Sequence, residues 1–153
     1  MKAMDLANHI INRGIELGRP ISNLQLQKIL YFVNLLYLHD TKSFLINENE
    51  EFQAWRHGPV MPDVYRKFAI NGGVKIYDKQ EGIDILSERN ADGKVITKEE
   101  LENINSSIDY LVKIDPWDLV KYSHAETGAW INTYIPDRRV TISRDDIRKE
   151  ADA

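Results

Sequence analysis

One segment of this sequence, Leu24 to Leu38, constrains the fold more than any other. Its only residues that are not apolar are Gln25, Gln27, Lys28 and Asn34. The apolar positions therefore surround most of the helix circumference instead of forming one stripe, which is typical of a helix buried on several sides. A membrane span needs about 20 predominantly apolar residues, and this segment is too short and too polar at its start. The sequence therefore predicts a central core helix over about residues 22–39, with other helices packed around it.

Helix-start signals and apolar periodicity predict these other helices. Ser22 with Gln25 and Thr97 with Glu100 have the spacing of capping boxes. Apolar residues at helical spacing predict helices over about 4–17 and 98–114. Further short helices are expected to begin at Pro62, at 115–116 and after Thr127-Gly128, the last one with Glu126 or Thr127 at its start. The charged segment 143–150 is expected to form a peripheral, exposed final helix.

The remaining segments predict a small β or irregular insert. Phe52 to Trp55 reads as a short edge strand, and 74–96 reads as small strands or an irregular arm with a turn at Asp92-Gly93. Between them, His57-Gly58-Pro59 predicts a corner, since the residue before proline is held out of the helical region. The fold class we expect is mainly α (α+β): one compact domain over residues 1–153, with its β or irregular parts at about 52–56 and 74–96.

Composition excludes several classes of function. The chain has 153 residues, a formal net charge of -4 and no cysteine, so thiolate catalysis, disulfides and cysteine-bound zinc are all excluded. Its four histidines form no His-x-x-x-His or His-Glu-x-x-His pair. The excess of acidic residues lies after residue 91, and no basic stretch is long enough to predict a nucleic-acid surface. The N-terminus lacks the pattern of a signal peptide. We expect a cytoplasmic protein without a cofactor, a metal or a membrane segment.

The first candidate site lies in the stretch FQAWRHGPVMPDVYRKF, Phe52 to Phe68. Arg56, His57, Arg66 and Lys67 could grip an anion or, in the case of His57, act as a base. In the simpler interpretation the cations are solvated, and Trp55 belongs to the core. Aromatic residues and arginine are enriched at binding hot spots, so recognition of a partner is favoured over catalysis.

The second candidate site lies in YSHAETGAW, Tyr122 to Trp130. Ser123, His124 and Glu126 are close enough in sequence to suggest a catalytic triad, but a triad is defined by spatial geometry, and neighbours at one helix end seldom point at one reacting atom. We expect a structural cluster instead, in which His124 ends one helix and Trp130 enters the core.

Three motifs in this order identify a resemblance to a known family. LQLQKILYF (Leu24 to Phe32), the stretch Phe52 to Phe68 and YSHAETGAW together resemble the Panacea antitoxin domain of SocA-like and GepA-like phage-associated proteins. The resemblance extends over about residues 5–135. Two positions depart from the family pattern: His57 stands where tyrosine is frequent, and Ala129 where proline is frequent. Both departures suggest that the partner preference of this chain differs from that of other family members.

The resemblance implies an antitoxin-like domain that is not an enzyme. It would neutralise a toxin encoded nearby, either by direct binding or as an adaptor that delivers the toxin to a protease. Two alternatives stay open at this stage: a phage or prophage effector that binds another host protein, and a small hydrolase with a histidine base. The candidate partner-binding residues are Trp55, Arg56, His57, Arg66, Lys67, His124, Glu126 and Trp130.

Overall fold

The computed structural model describes all 153 residues as a mainly α structure with one small sheet. This architecture confirms the predicted fold class. None of its helices combines the length and the apolar character that crossing a bilayer requires. In chain order the elements are α1 (Ala3–Glu16), α2 (Asn23–Thr41), β1 (Gln53–Trp55), β2 (Gly58–Val60), α3 (Pro62–Phe68), α4 (Lys98–Leu111), α5 (Pro116–Ser123), α6 (Ala129–Thr133), β3 (Val140–Thr141) and α7 (Arg144–Asp152).

Helix α2 is the centre of the fold, as its all-round apolar surface predicts. It contacts α1, α4, α5, α7 and strand β2, and the side chains of Leu26, Ile29 and Leu30 are fully buried. The predicted capping box is present at its start. The backbone N–H of Gln25 donates to the Ser22 hydroxyl at 3.3 Å, and the backbone N–H of Ser22 donates to the Gln25 side chain at 3.0 Å.

The second predicted capping box, at the start of α4, is only half formed. The Thr97 hydroxyl accepts a hydrogen bond from the backbone N–H of Glu100 at 3.0 Å. The Glu100 carboxylate, however, accepts a hydrogen bond from the Tyr37 hydroxyl of α2 at 2.7 Å. Burial, followed by this bond to Glu100, raises the pKa of Tyr37 to about 12. The Glu100 side chain therefore links α4 to α2 instead of completing the capping box at the start of α4.

Helix α7 is not the peripheral helix that its charge predicts. Ile147 and Ala151 are buried at 3% and 5% exposure, and the helix packs directly against α2. The Tyr31 hydroxyl of α2 also donates a hydrogen bond to Glu150 of α7. The expectation of an exposed helix is wrong because two apolar residues four positions apart are enough to give a charged helix one buried stripe.

The sheet contains one strand that the sequence predicts and two that it does not. Strand β1 pairs antiparallel with both β2 and β3, so it is central and not an edge strand. Trp55 pairs with Gly58, so the predicted corner is a β-hairpin whose two-residue turn is Arg56-His57. Residues 74–96 are largely irregular. Their buried isoleucines, Ile76, Ile85 and Ile96, hold them to the core, and Gly93 has a positive φ of 79° in the predicted turn.

Candidate functional site

The three sequence motifs meet at the hairpin, and Lys28 of α2 lies where they meet. Its ammonium group donates a hydrogen bond to the carbonyl oxygen of Pro59 at 2.6 Å. The Gln27 side chain, directly before it on α2, accepts a hydrogen bond from the backbone N–H of Met61 at 2.9 Å. Asn23, at the start of α2, donates to the carbonyl of Tyr65 at 3.1 Å. Polar side chains of α2 therefore form hydrogen bonds with the backbone of the second motif at three points between Pro59 and Tyr65.

Lys28 is an unusual group for a protein core. Its side chain is 0% exposed, and it takes part in none of the ion pairs of the chain. Burial lowers its pKa to about 7, because removing the ammonium from water disfavours the charged form. Lys28 is not among the predicted site residues, since its position inside an apolar run gives no local sign that it hydrogen-bonds to a distant carbonyl.

Gly58 is required by the close approach of the third motif to this corner. Its φ is 113°, a backbone conformation that residues with a side chain rarely adopt. A Cβ atom placed there would lie 2.5 Å from the Ser123 hydroxyl and 2.9 Å from Cε of Lys28. The end of α5 thus packs against the hairpin at a distance that only glycine permits.

The third motif supplies an aromatic stack. The rings of His124 and Trp130 lie 3.6 Å apart with an angle of 3° between their planes, and Trp130 stacks in turn on Tyr134 at 4.6 Å. The indole N–H of Trp130 donates to the carbonyl oxygen of Trp55 at 2.7 Å, which joins the stack to β1. The pKa of His124 is lowered, chiefly by burial and then by the nearby charges of Lys28 and His57.

Ser123, His124 and Glu126 do not form a catalytic arrangement. The Ser123 hydroxyl donates to the carbonyl of Val120 at 2.6 Å, within its own helix. The buried Nε2 of His124 has no hydrogen-bond partner, and Glu126 is exposed. As the sequence analysis expects, His124 follows the last residue of α5 and Trp130 is buried.

The start of α6 differs from the expectation. Neither Glu126 nor Thr127 caps it, and the residue before the helix is Gly128. The backbone N–H of Ala129 donates instead to the Glu150 carboxylate of α7 at 3.1 Å. Glu150, from a later helix, thus stabilises the start of α6, a role that the sequence assigns to the neighbouring Glu126 or Thr127.

A cleft of about 310 Å³ opens beside the hairpin, and its lining includes Lys28, Trp55, Arg56, His57 and Tyr65. We call it the corner cleft. Its surface is predominantly apolar, its exposed basic groups are Arg56 and His57 of the hairpin turn, and no aspartate or glutamate lines it. Trp55 is positioned by an edge-on contact with Tyr65 at 4.9 Å between ring centres. Such a cleft suits an apolar group that carries negative charge.

The four predicted cations lie on two neighbouring elements, but only two of them line the corner cleft. Arg56 and His57 are exposed in the hairpin turn, where the His57 ring contacts Trp117 of α5 edge-on at 5.2 Å. Arg66 and Lys67 are exposed on α3. There Arg66 pairs with Asp63, and the Lys67 ammonium lies 5.3 Å from the ring of Phe68.

Two further arginines, which are not among the predicted site residues, border a second cleft that Trp55 also lines. The guanidinium of Arg139 lies over the Trp55 ring at 3.8 Å. Trp55, Arg56, Tyr134, Asp137, Arg138 and Arg139 line this space of about 270 Å³, which we call the arginine cleft. Only the pairing of β3 with β1 brings this part of the chain to Trp55, so no local sequence signal was available to find it.

No group of three or more histidine, aspartate or glutamate side chains is arranged to hold a metal ion. Cationic and aromatic side chains lie around the two clefts, and buried polar contacts hold the backbone beneath them.

Comparison with known proteins agrees with the resemblance found in the sequence. The family model described as antitoxin SocA-like, Panacea domain, matches residues 26–131, a range that contains most of α2, the hairpin, α3 and the aromatic stack as far as Trp130. The chain is also 35% identical over 132 residues to the antitoxin SocA of Caulobacter vibrioides, an alignment that covers 84% of this chain and 68% of that protein. No solved structure matches the chain.

Proposed function

The chain belongs to the family of SocA-like antitoxins with a Panacea domain, and from this premise we propose that it is an antitoxin that binds a protein toxin. The observation that carries the proposal is the match of the family model over residues 26–131. This range includes the buried corner around Lys28 and Pro59 and the exposed side chains next to it. We further propose that residues 1–153 fold as one domain.

The hairpin turn and α3 form the core of the proposed toxin-binding surface. Arg56, His57, Arg66 and Lys67 are exposed there, on a corner whose backbone is held by Lys28. A rigid scaffold lowers the entropy lost on binding, and arginine next to aromatic rings is typical of interface hot spots. These four cations are proposed to contact the toxin directly.

The other predicted site residues divide into two roles. Trp55, His124 and Trp130 contact one another through stacking and the indole-to-carbonyl hydrogen bond, so we assign them to the shape of the surface. Glu126 is exposed and forms no ion pair. Its place beside the stack makes it a candidate contact of the toxin, although it supports nothing within the fold.

Binding would neutralise the toxin in one of two ways. The antitoxin could cover the toxin's active surface, or it could deliver the toxin to a cellular protease. Both require a stable complex, so both depend on the same surface. They differ in the fate of the toxin, whose amount stays constant in the first case and falls in the second.

A growth-rescue experiment tests the proposal. The product of a neighbouring gene is expressed from an inducible promoter in a bacterial host, with and without this chain. We expect growth to stop with the neighbour alone and to recover with both, and we expect the two proteins to co-purify. Immunoblotting of the toxin during rescue separates covering from degradation. If no neighbouring product is toxic, or if this chain neither rescues growth nor co-purifies with it, the proposal is wrong.

A further inference from the structure

The corner cleft and the arginine cleft share two lining residues. Trp55 and Arg56 line both of them, so the two clefts adjoin at these side chains. His57 and the buried Lys28 line the corner cleft alone, and Arg138 and Arg139 line the arginine cleft alone. Among all the residues that line the two clefts, Asp137 is the single carboxylate. Three arginines, Arg56, Arg138 and Arg139, thus line the two clefts of a chain whose formal net charge is -4.

The arginines of the two clefts have no ionic partners within the chain. The four ion pairs of the structure involve other cations, namely Arg13, Lys42, Arg66 and Lys79. Isolated surface cations are ordinary, but here three arginines border concave spaces, and one of them rests on the ring of Trp55. Trp55 itself is held by the hydrogen bond that its indole N–H donates to Gln53 at 2.9 Å. A guanidinium held against a ring loses less freedom when it binds a carboxylate.

We propose that the two clefts together bind an acidic segment of the protein partner, with one carboxylate in each cleft. One carboxylate-bearing side chain would enter the corner cleft, whose apolar walls accept its aliphatic or aromatic part. Another would meet Arg138 and Arg139 in the arginine cleft. This inference rests on the proposed function in one respect, that the partner is a protein.

The geometry favours an acidic peptide over nucleic acid. Nucleic-acid affinity comes chiefly from many phosphate contacts along an extended basic face, whereas the cations here are few and the chain as a whole is acidic. The corner cleft, at about 310 Å³, has room for a large side chain and has mainly apolar walls. Such a space discriminates by the shape and charge of a single group, as an interface pocket does.

A direct binding experiment tests the proposal without the toxin. Fluorescence anisotropy of the purified full chain is measured with a short labelled peptide that alternates glutamate and phenylalanine. The reference peptide has glutamine in place of glutamate. We expect the acidic peptide to bind at least about tenfold more tightly than the reference, and its binding to weaken as salt is raised because exposed charges are screened.

Charge-reversal variants locate the binding site. The double variant Arg138→Glu with Arg139→Glu is expected to bind the acidic peptide at least about tenfold more weakly. The control, Lys98→Glu with Lys113→Glu, makes the same change of net charge at exposed positions of α4 and just after it, and its affinity should stay within about twofold of the parent. Thermal unfolding of both variants checks that each is folded.

Three results would overturn the proposal. The acidic peptide could fail to bind, it could bind no better than the glutamine peptide, or the two double variants could weaken it equally. A labelled single-stranded oligonucleotide is measured in parallel, and tighter binding of it that depends on Arg138 and Arg139 would assign the surface to nucleic acid instead. Growth rescue is a separate readout: rescue without peptide binding removes this inference alone, and peptide binding without rescue removes the antitoxin proposal alone.

Discussion

The ammonium group of Lys28 donates a hydrogen bond to the carbonyl oxygen of Pro59, with 2.6 Å between the two atoms. This bond joins the central helix to the hairpin, and the end of α5 closes over the same point at Gly58. The three segments that identify the family therefore share one tertiary contact. This buried corner explains why Lys28, Gly58 and Ser123 lie together, whereas Arg56 and His57 of the hairpin turn stay exposed.

Substituting Lys28 is expected to change how stability depends on pH. The pKa of Lys28 is lowered to about 7 by burial, whereas in the unfolded chain it returns to about 10.4. Between these values the unfolded state binds more protons than the folded state, so stability should rise with pH by an amount on the order of a few kcal/mol. In Lys28→Met this contribution to the rise should be missing. Urea unfolding at a series of pH values from neutral to alkaline measures the slope, and identical slopes in both proteins would contradict the assignment.

Gly58→Ala is expected to destabilise the fold strongly. The new methyl group would lie 2.5 Å from the Ser123 hydroxyl, and the backbone φ of 113° adds strain. We expect a loss of about 3 kcal/mol or more in the free energy of unfolding. Gly93→Ala is the matched control, because Gly93 also has a positive φ but open space around it, and it should lose about 1 kcal/mol. Equal losses in denaturant titrations would mean that the close packing at Gly58 contributes nothing.

Removing the Glu150 carboxylate is expected to loosen both α7 and the start of α6. This carboxylate accepts hydrogen bonds from the Tyr31 hydroxyl and from the backbone N–H of Ala129. Glu150→Ala leaves two partly buried donors without an acceptor and should cost about 2 kcal/mol or more. Glu126→Ala, at an exposed position without a partner, should stay within about 0.5 kcal/mol of the parent. Thermal unfolding compares the two, and a stability for Glu150→Ala like that of the control would refute this role.

Arg56→Glu combined with Lys67→Glu is expected to abolish growth rescue while leaving the fold intact. Both side chains are exposed, so the free energy of unfolding should change by no more than about 1 kcal/mol. The contrasting variant is Trp130→Ala, which removes the hydrogen bond to Trp55 and a buried ring, and should cost about 3 kcal/mol or more. Lys98→Glu with Lys113→Glu again controls for net charge. If the Arg56 and Lys67 variant still rescues growth fully, those two residues lie outside the interface.

Local sequence signals were sufficient for most of the helices. The capping box at Ser22, the proline at the first position of α3 and the cap at Asp115 are all present where the sequence places them. Each is an interaction between residues a few positions apart, so the chain needs no tertiary partner to specify it. The all-round apolar surface of α2 likewise predicted a central helix.

The proposed binding surface depends on contacts that no local signal encodes. The sequence alone determined the helices, the mainly α class and the presence of aromatic and cationic residues near Gly58. Only the tertiary structure decided that Lys28 bonds to Pro59, that Glu150 closes the start of α6 and that Arg139 lies on Trp55. The physical reason is range: a cap or an apolar stripe is specified within one or two helical turns, whereas these contacts join side chains that packing around α2 brings together from distant parts of the chain.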